Sequence, residues 1–126
     1  MNLVGVHLHN NMKVIIAGGR TFNNYDLLCK SCDKVLSQQK EIEIVSGTAY
    51  GADKLGEKYA KEKSYTIKHF PADWDNHGKS AGYIRNAQMA EYADALIAFW
   101  DGNSKGTKNI IDLAKRMNLK IRIIRY

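Results

Sequence analysis

The 126-residue sequence predicts one three-layer α/β domain: a mostly parallel sheet of about five strands with helices on both faces. Three observations lead there. Short apolar runs alternate with stretches of helical periodicity along the chain. Most of the apolar runs stop at glycine- or proline-bearing turns. Strands separated by helices require right-handed crossovers, and these produce parallel pairing.

The elements follow in order. Residues 14–18 (VIIAG) form an apolar run ending in glycines, a buried strand. Residues 25–38 place Leu28, Cys32, Val35 and Leu36 at helical spacing. A second strand (43–46, EIVS) again stops at glycine, and residues 52–63 carry Leu55, Tyr59 and Ala60 on one helical face. The run 65–70 (YTIKHF) predicts a third strand, closed by Pro71, the sole proline. A polar stretch leads to a helix over 80–92, then to 95–100 (ALIAFW), the most hydrophobic strand. Ile110, Leu113, Ala114 and Met117 define an amphipathic helix from about Lys108, and 120–125 (KIRIIR) closes the chain as an edge strand. Met12 stands just before the first run, so residues 1–11 are expected to be an N-terminal extension of a domain spanning 12–126.

Composition narrows the partners. Hydrophobic residues are 44% and charged residues 25%, as in ordinary globular proteins. No apolar run approaches the roughly 20 residues that cross a bilayer, and the opening MNLVGVHLHN lacks the pattern of a secretory signal. A cytoplasmic, non-membrane protein is expected. The net charge of +6 favours anionic partners, yet the lysines and arginines are scattered, which supports nucleic acid only weakly. Cys29 and Cys32 form a C-x-x-C inside a helical pattern without a second pair, and His7, His9, His69 and His77 show no ligand spacing. Reduced, buried or half-buried thiols are expected, with no metal and no cofactor.

In a doubly wound sheet, ligands bind beyond the carboxyl ends of the strands. Four unusual loops fall there. Gly18-Gly19-Arg20-Thr21 lets backbone amides approach a ligand while Arg20 grips phosphate or carboxylate. Ser46-Gly47-Thr48, with Gly51 and Asp53, precedes a helix whose amino end suits an anion, although Asp53 also serves that helix dipole. The long connection after the third strand supplies Asp73, Trp74, Asp75, Lys79, Gly82, Arg85 and Asn86. There Trp74 either stacks on a base or plugs the edge of the core. Asp101 and Gly102 begin the fourth loop, which ends in Gly106-Thr107, with Ser104 or Thr107 as helix cap or phosphate contact. Neither a Walker A loop nor a G-x-G-x-x-G fingerprint is present.

VIIAGGRTF, SGTAYGADKLGEKYA, FPADWDNHGKSAGYIRN and ALIAFWDGNSKGTKNIIDLAKR together resemble the YspA-like branch of the SLOG superfamily, over about residues 13–126. That superfamily has a Rossmann-like fold and includes the LONELY GUY phosphoribohydrolases and the DNA-processing protein A family. The resemblance implies binding, sensing or processing of nucleotide-derived ligands, and a homodimer or higher oligomer. The phosphoribohydrolases use an arginine and a Gly-Gly-x-Gly-Thr-x-x-Glu segment. Arg85 takes the arginine position and Gly106-Thr107 matches the Gly-Thr, but the glutamate position falls on Ile110. Asp112 lies about 200° round a helix from Ile110 and does not replace that glutamate.

Three readings follow. In the first, the loops bind a nucleotide, dinucleotide or ADP-ribose-like small molecule for sensing or sequestration: Arg20, Lys79 and Arg85 neutralise phosphate, loop amides cradle it, and Trp74 or Tyr50 stacks on the base. In the second, the protein is a nucleotide hydrolase, with Arg85, Asp73, Asp75 and Asp112 as catalytic candidates. In the third, it binds single-stranded DNA.

Overall fold

The computed structural model describes residues 11–126. The extension expected over residues 1–11 therefore lies almost wholly outside the described residues, as do His7 and His9. The elements run β1 (Met12–Gly18), α1 (Tyr25–Leu36), β2 (Ile42–Ser46), α2 (Ala52–Lys63) and β3 (Thr66–His69). Then come a one-turn helix α3 (Trp74–His77), a 3-10 turn (Gly78–Ser80), α4 (Ala81–Tyr92), β4 (Ala95–Trp100), α5 (Lys105–Arg116) and β5 (Lys120–Arg125).

Among the described residues all four strand pairings are parallel, and the sheet order is β3-β2-β1-β4-β5. The alternation of side chains along β1 divides the core in two. Val14 and Ile16 pack with Leu28, Cys32 and Leu36 of α1 and with Tyr59 and Ala60 of α2. Ile15 and Ala17 pack on the other face with Met89 and Ala90 of α4 and with Ile110, Ile111 and Ala114 of α5. Both faces of β1 and β4 are covered, which is why those strands read as unbroken apolar runs. β3 and β5 are the edges, and their exposed or half-exposed residues match that position.

Local chemistry sets the boundaries that the sequence placed differently. α5 begins at Lys105 rather than near Lys108, because the Ser104 hydroxyl accepts the Thr107 amide at 3.4 Å and caps the helix. The connection after β3 is not an open loop. Asp73 accepts the Asn76 amide at 3.2 Å and starts α3. Met117, expected on the apolar face of α5, falls at the end of that helix and is 46% exposed, while Ile111 is buried in its stead. Cys29 and Cys32 are free thiols, half-buried and buried, and burial pushes the Cys32 thiol up to about 12.

The strand order reverses between β1 and β4, so the chain leaves these neighbours toward opposite faces of the sheet. The loops after them diverge and open a crevice at their carboxyl ends.

Candidate functional site

That crevice is a cleft of about 430 Å³. Its floor is apolar: Ala17 at the end of β1, Met89 of α4 and Ile110 of α5, all buried. Gly18, Gly19, Arg20 and Thr21 form one wall, and Asp101, Ser104, Gly106 and Thr107 form the other. Trp74, Lys79, Gly82, Tyr83, Arg85 and Asn86 close it from the α3–α4 side, and Asp53 and Ala49 reach it from the loop after β2. A second hollow of about 430 Å³ adjoins it, lined by Gly47, Thr48, Tyr50, Pro71 and Ala72 and sharing Arg20, Ala49, Trp74 and Arg85 with the first.

The glycine-rich segments are shaped by close approach. Gly18 lies against the Phe99 carbonyl, and a Cβ there would also come within 2.9 Å of Ala52 Cβ. Gly51, at φ +78°, packs on the backbone of Gly19 and Arg20, and the Ala52 amide donates to the Gly19 carbonyl at 3.3 Å. Only glycine fits both that φ and that gap. The loop after β1 is thus clamped onto the amino end of α2.

Buried polar groups hold the opposite wall. Arg85 is 9% exposed; its guanidinium donates to the Gly47 carbonyl and, through Nε, to Asn86 Oδ1 at 3.0 Å. Asn86 Nδ2 donates to Asn109 Oδ1 at 2.9 Å and to the Gly106 carbonyl at 3.3 Å. One chain of hydrogen bonds therefore ties the loop after β2, through α4, to the first turn of α5. Burial lowers the Arg85 pKa and Arg20 lowers it further, while Asp53 raises it. Burial also lifts the Asp53 carboxyl to about 6, against the opposing pull of the Ala49 amide and Arg85. Asp101 is held below the usual carboxylate range by the amides of Asn103 and Ser104, each 2.8 Å from its Oδ1.

Arg20 differs from Arg85. It is exposed, lines both hollows, and makes no hydrogen bond or ion pair among the described residues.

Fourteen of the candidate contacts read from sequence line the first hollow: Gly18, Gly19, Arg20, Thr21, Asp53, Trp74, Lys79, Gly82, Arg85, Asn86, Asp101, Ser104, Gly106 and Thr107. Gly47, Thr48 and Tyr50 line the second. The rest stand elsewhere. Ser46 is 1% exposed beneath the site; its hydroxyl donates to Glu57 Oε2 at 2.6 Å and accepts the Thr48 amide at 3.1 Å, so it holds the loop from behind. Gly51 spaces two loops. Gly102, at φ +88°, lies against the Arg125 guanidinium. Of the catalytic candidates, Arg85 lines both hollows, but the three carboxylates do not: Asp73 caps α3, Asp75 is exposed, and Asp112 pairs with Lys108 at 2.8 Å. Trp74 is 51% exposed and is not a core plug.

Several contributors were missed. Glu57 sits one turn beyond Asp53 on α2, and that i,i+4 pair of acids was a legible signal. Asn109, one turn after Gly106, was another. Tyr126, whose hydroxyl lies against Gly19 and whose ring packs 4.8 Å from Phe22, had no local signal.

The family model described as YspA, cpYpsA-related SLOG family matches residues 12–77, just over half of the chain. The chain belongs to that SLOG family. This SLOG protein is similar to the Gene 61 protein of Mycobacterium phage D29, 28% identical over 116 residues that cover 86% of this chain and 93% of that protein. Its fold is similar to that of DNA processing protein A (DprA) from Streptococcus pneumoniae, with a TM-score of 0.70 at 17% identity. That match covers 94% of this chain and 52% of DprA, so the SLOG domain spans about half the length of that structure. No helix among the described residues is long and apolar enough to cross a membrane.

Proposed function

We propose that the cleft binds the phosphate of a nucleotide or nucleotide-derived small molecule, and that the protein senses or sequesters it. The observation that carries this reading is convergence. Arg20, Lys79 and Arg85, the backbone of Gly18-Gly19 and the first turn of α5 all line one hollow over an apolar floor. Cations and a helix amino end answer the phosphate charge, and Trp74 and Tyr83 offer rings to a base. The membership in a SLOG family agrees with a nucleotide-related ligand.

Binding without turnover is favoured because Ile110, not an acid, sits in the floor, and because the two cleft carboxylates are already engaged. Asp53 accepts the Ala49 amide, and Asp101 Oδ1 accepts two amides. Calorimetric titration with a panel of adenine and guanine nucleotides tests the reading, with assays for released base and phosphate alongside. The expected outcome is saturable binding, lost in Arg20→Ala, without product release. Base or phosphate released by the wild type and abolished by Asp101→Asn would favour the hydrolase instead. No binding by any nucleotide would refute the proposal.

A second reading, binding of single-stranded DNA, draws on the DprA-like fold and the net charge of +6. Its mark is an affinity that falls steeply and linearly on a logarithmic salt scale.

A further inference from the structure

The two adjoining hollows, each of about 430 Å³, meet at Arg20, Ala49, Trp74 and Arg85. Each side has its own place for a ring: Tyr83, 49% exposed, lies on the first side and Tyr50, 79% exposed, on the second, with Trp74 between. Six large hydrophobic residues are exposed among those described, and three of them rim this one edge. Large apolar rings are concentrated at a surface where something covers them.

The charge lies between the two sides. Arg20 and Arg85 are the cations common to both hollows, whereas Lys79 belongs to the first alone. Arg85 is pinned by Gly47 and Asn86, and Arg20 has no partner among the described residues, so one rigid and one free guanidinium share the boundary. Two guanidinium groups match the two negative charges of a pyrophosphate bridge, and guanidinium is suited to bidentate grip of phosphate oxygens.

We infer that the ligand is two-headed: a pyrophosphate bridge seated at Arg20 and Arg85, with a nucleoside-type group in each hollow. This rests on the nucleotide reading above and sharpens it to the class of pyrophosphate-linked dinucleotides. A nucleoside mono- or diphosphate leaves the Tyr50 side empty. A single-stranded nucleic acid presents similar units joined by phosphodiesters, but it would require basic groups continuing beyond the two hollows.

The test is calorimetry at fixed ionic strength on the full chain with three probes: ADP, diadenosine diphosphate, and a short single-stranded oligodeoxynucleotide. Diadenosine diphosphate is expected to bind about tenfold or more tightly than ADP, the gain one additional stacked ring supplies. Tyr50→Ala removes the second ring and Ala72→Trp fills the second hollow. Each is expected to bring the ratio of the two affinities toward one, with thermal melts confirming that both variants are folded. Equal affinities in the wild type, or a ratio unchanged in both variants, overturns the two-headed ligand while leaving nucleotide binding intact. Tighter binding of the oligodeoxynucleotide overturns it in favour of nucleic acid. If ADP and diadenosine diphosphate both fail to bind, the nucleotide reading itself falls, and this inference with it.

Discussion

Asp53 and Arg85 meet at Gly47: a Cβ added there would lie 2.8 Å from Asp53 Oδ2 and 2.9 Å from Arg85 Nη1. Both neighbours are buried and hydrogen-bonded, so neither can swing aside without losing a partner. Gly47→Ala is expected to cost about 1–3 kcal/mol of stability through overpacking. It should weaken nucleotide binding as well, since Arg85 is the group displaced. Urea unfolding and calorimetry on the same variant check the two effects.

The arginines should separate in mutagenesis. Arg20→Ala removes an exposed side chain with no partner among the described residues and should change stability by less than about 0.5 kcal/mol. Its loss should still lower phosphate-ligand affinity roughly tenfold or more, the worth of one charge-assisted hydrogen bond. Arg85→Met instead strips the Gly47 carbonyl and Asn86 Oδ1 of their donor and should cost about 2–3 kcal/mol. A stability loss for Arg20→Ala as large as that of Arg85→Met would contradict this division.

Gly56 faces the sheet from α2, and a Cβ there would lie 2.8 Å from Ile16 Cγ2 and 2.9 Å from Ile16 Cβ. Ile16 is fully buried. Alanine gains about 1 kcal/mol of helix propensity over glycine, but lifting the helix off the sheet costs about 1–3 kcal/mol. Gly56→Ala is expected to be net destabilising by about 1 kcal/mol. A raised urea midpoint would show that α2 has room to move.

The Asp53 carboxyl, lifted by burial from 3.8 to about 6, makes stability depend on pH. The folded form holds the proton more tightly than the unfolded chain, so the native state is favoured below about pH 4. It loses that advantage as pH rises to about 6. The full loss is on the order of 3 kcal/mol. Asp53→Asn should abolish this part of the profile, measured as the difference between wild type and variant in urea unfolding at pH 4, 5, 6 and 7. Asp73 and Asp101, held below the usual range, contribute the opposite slope at lower pH and cancel in the difference. Parallel profiles for the two proteins would mean that Asp53 is ionised at neutral pH without penalty.

The sequence by itself determined the sheet, its parallel sense and the edge where the unusual loops gather. These rest on periodicity and on local backbone chemistry: the doubly covered runs at Val14–Gly18 and Ala95–Trp100, and the glycines at Gly18, Gly19 and Gly106. Both are written over a few neighbouring residues. Tertiary structure decided which of those loop residues face one another. Asp73, Asp75 and Asp112 were candidates by type, yet a capping bond takes the first, solvent the second and an ion pair with Lys108 the third. Asn86 and Asn109 are 23 positions apart and meet only because α4 and α5 pack on the same face of the sheet. Ser46 looked like a ligand contact and is a buried strut for Glu57. The strand order that sets β1 beside β4 brings these pairs together, and that order depends on long-range packing rather than on any local pattern.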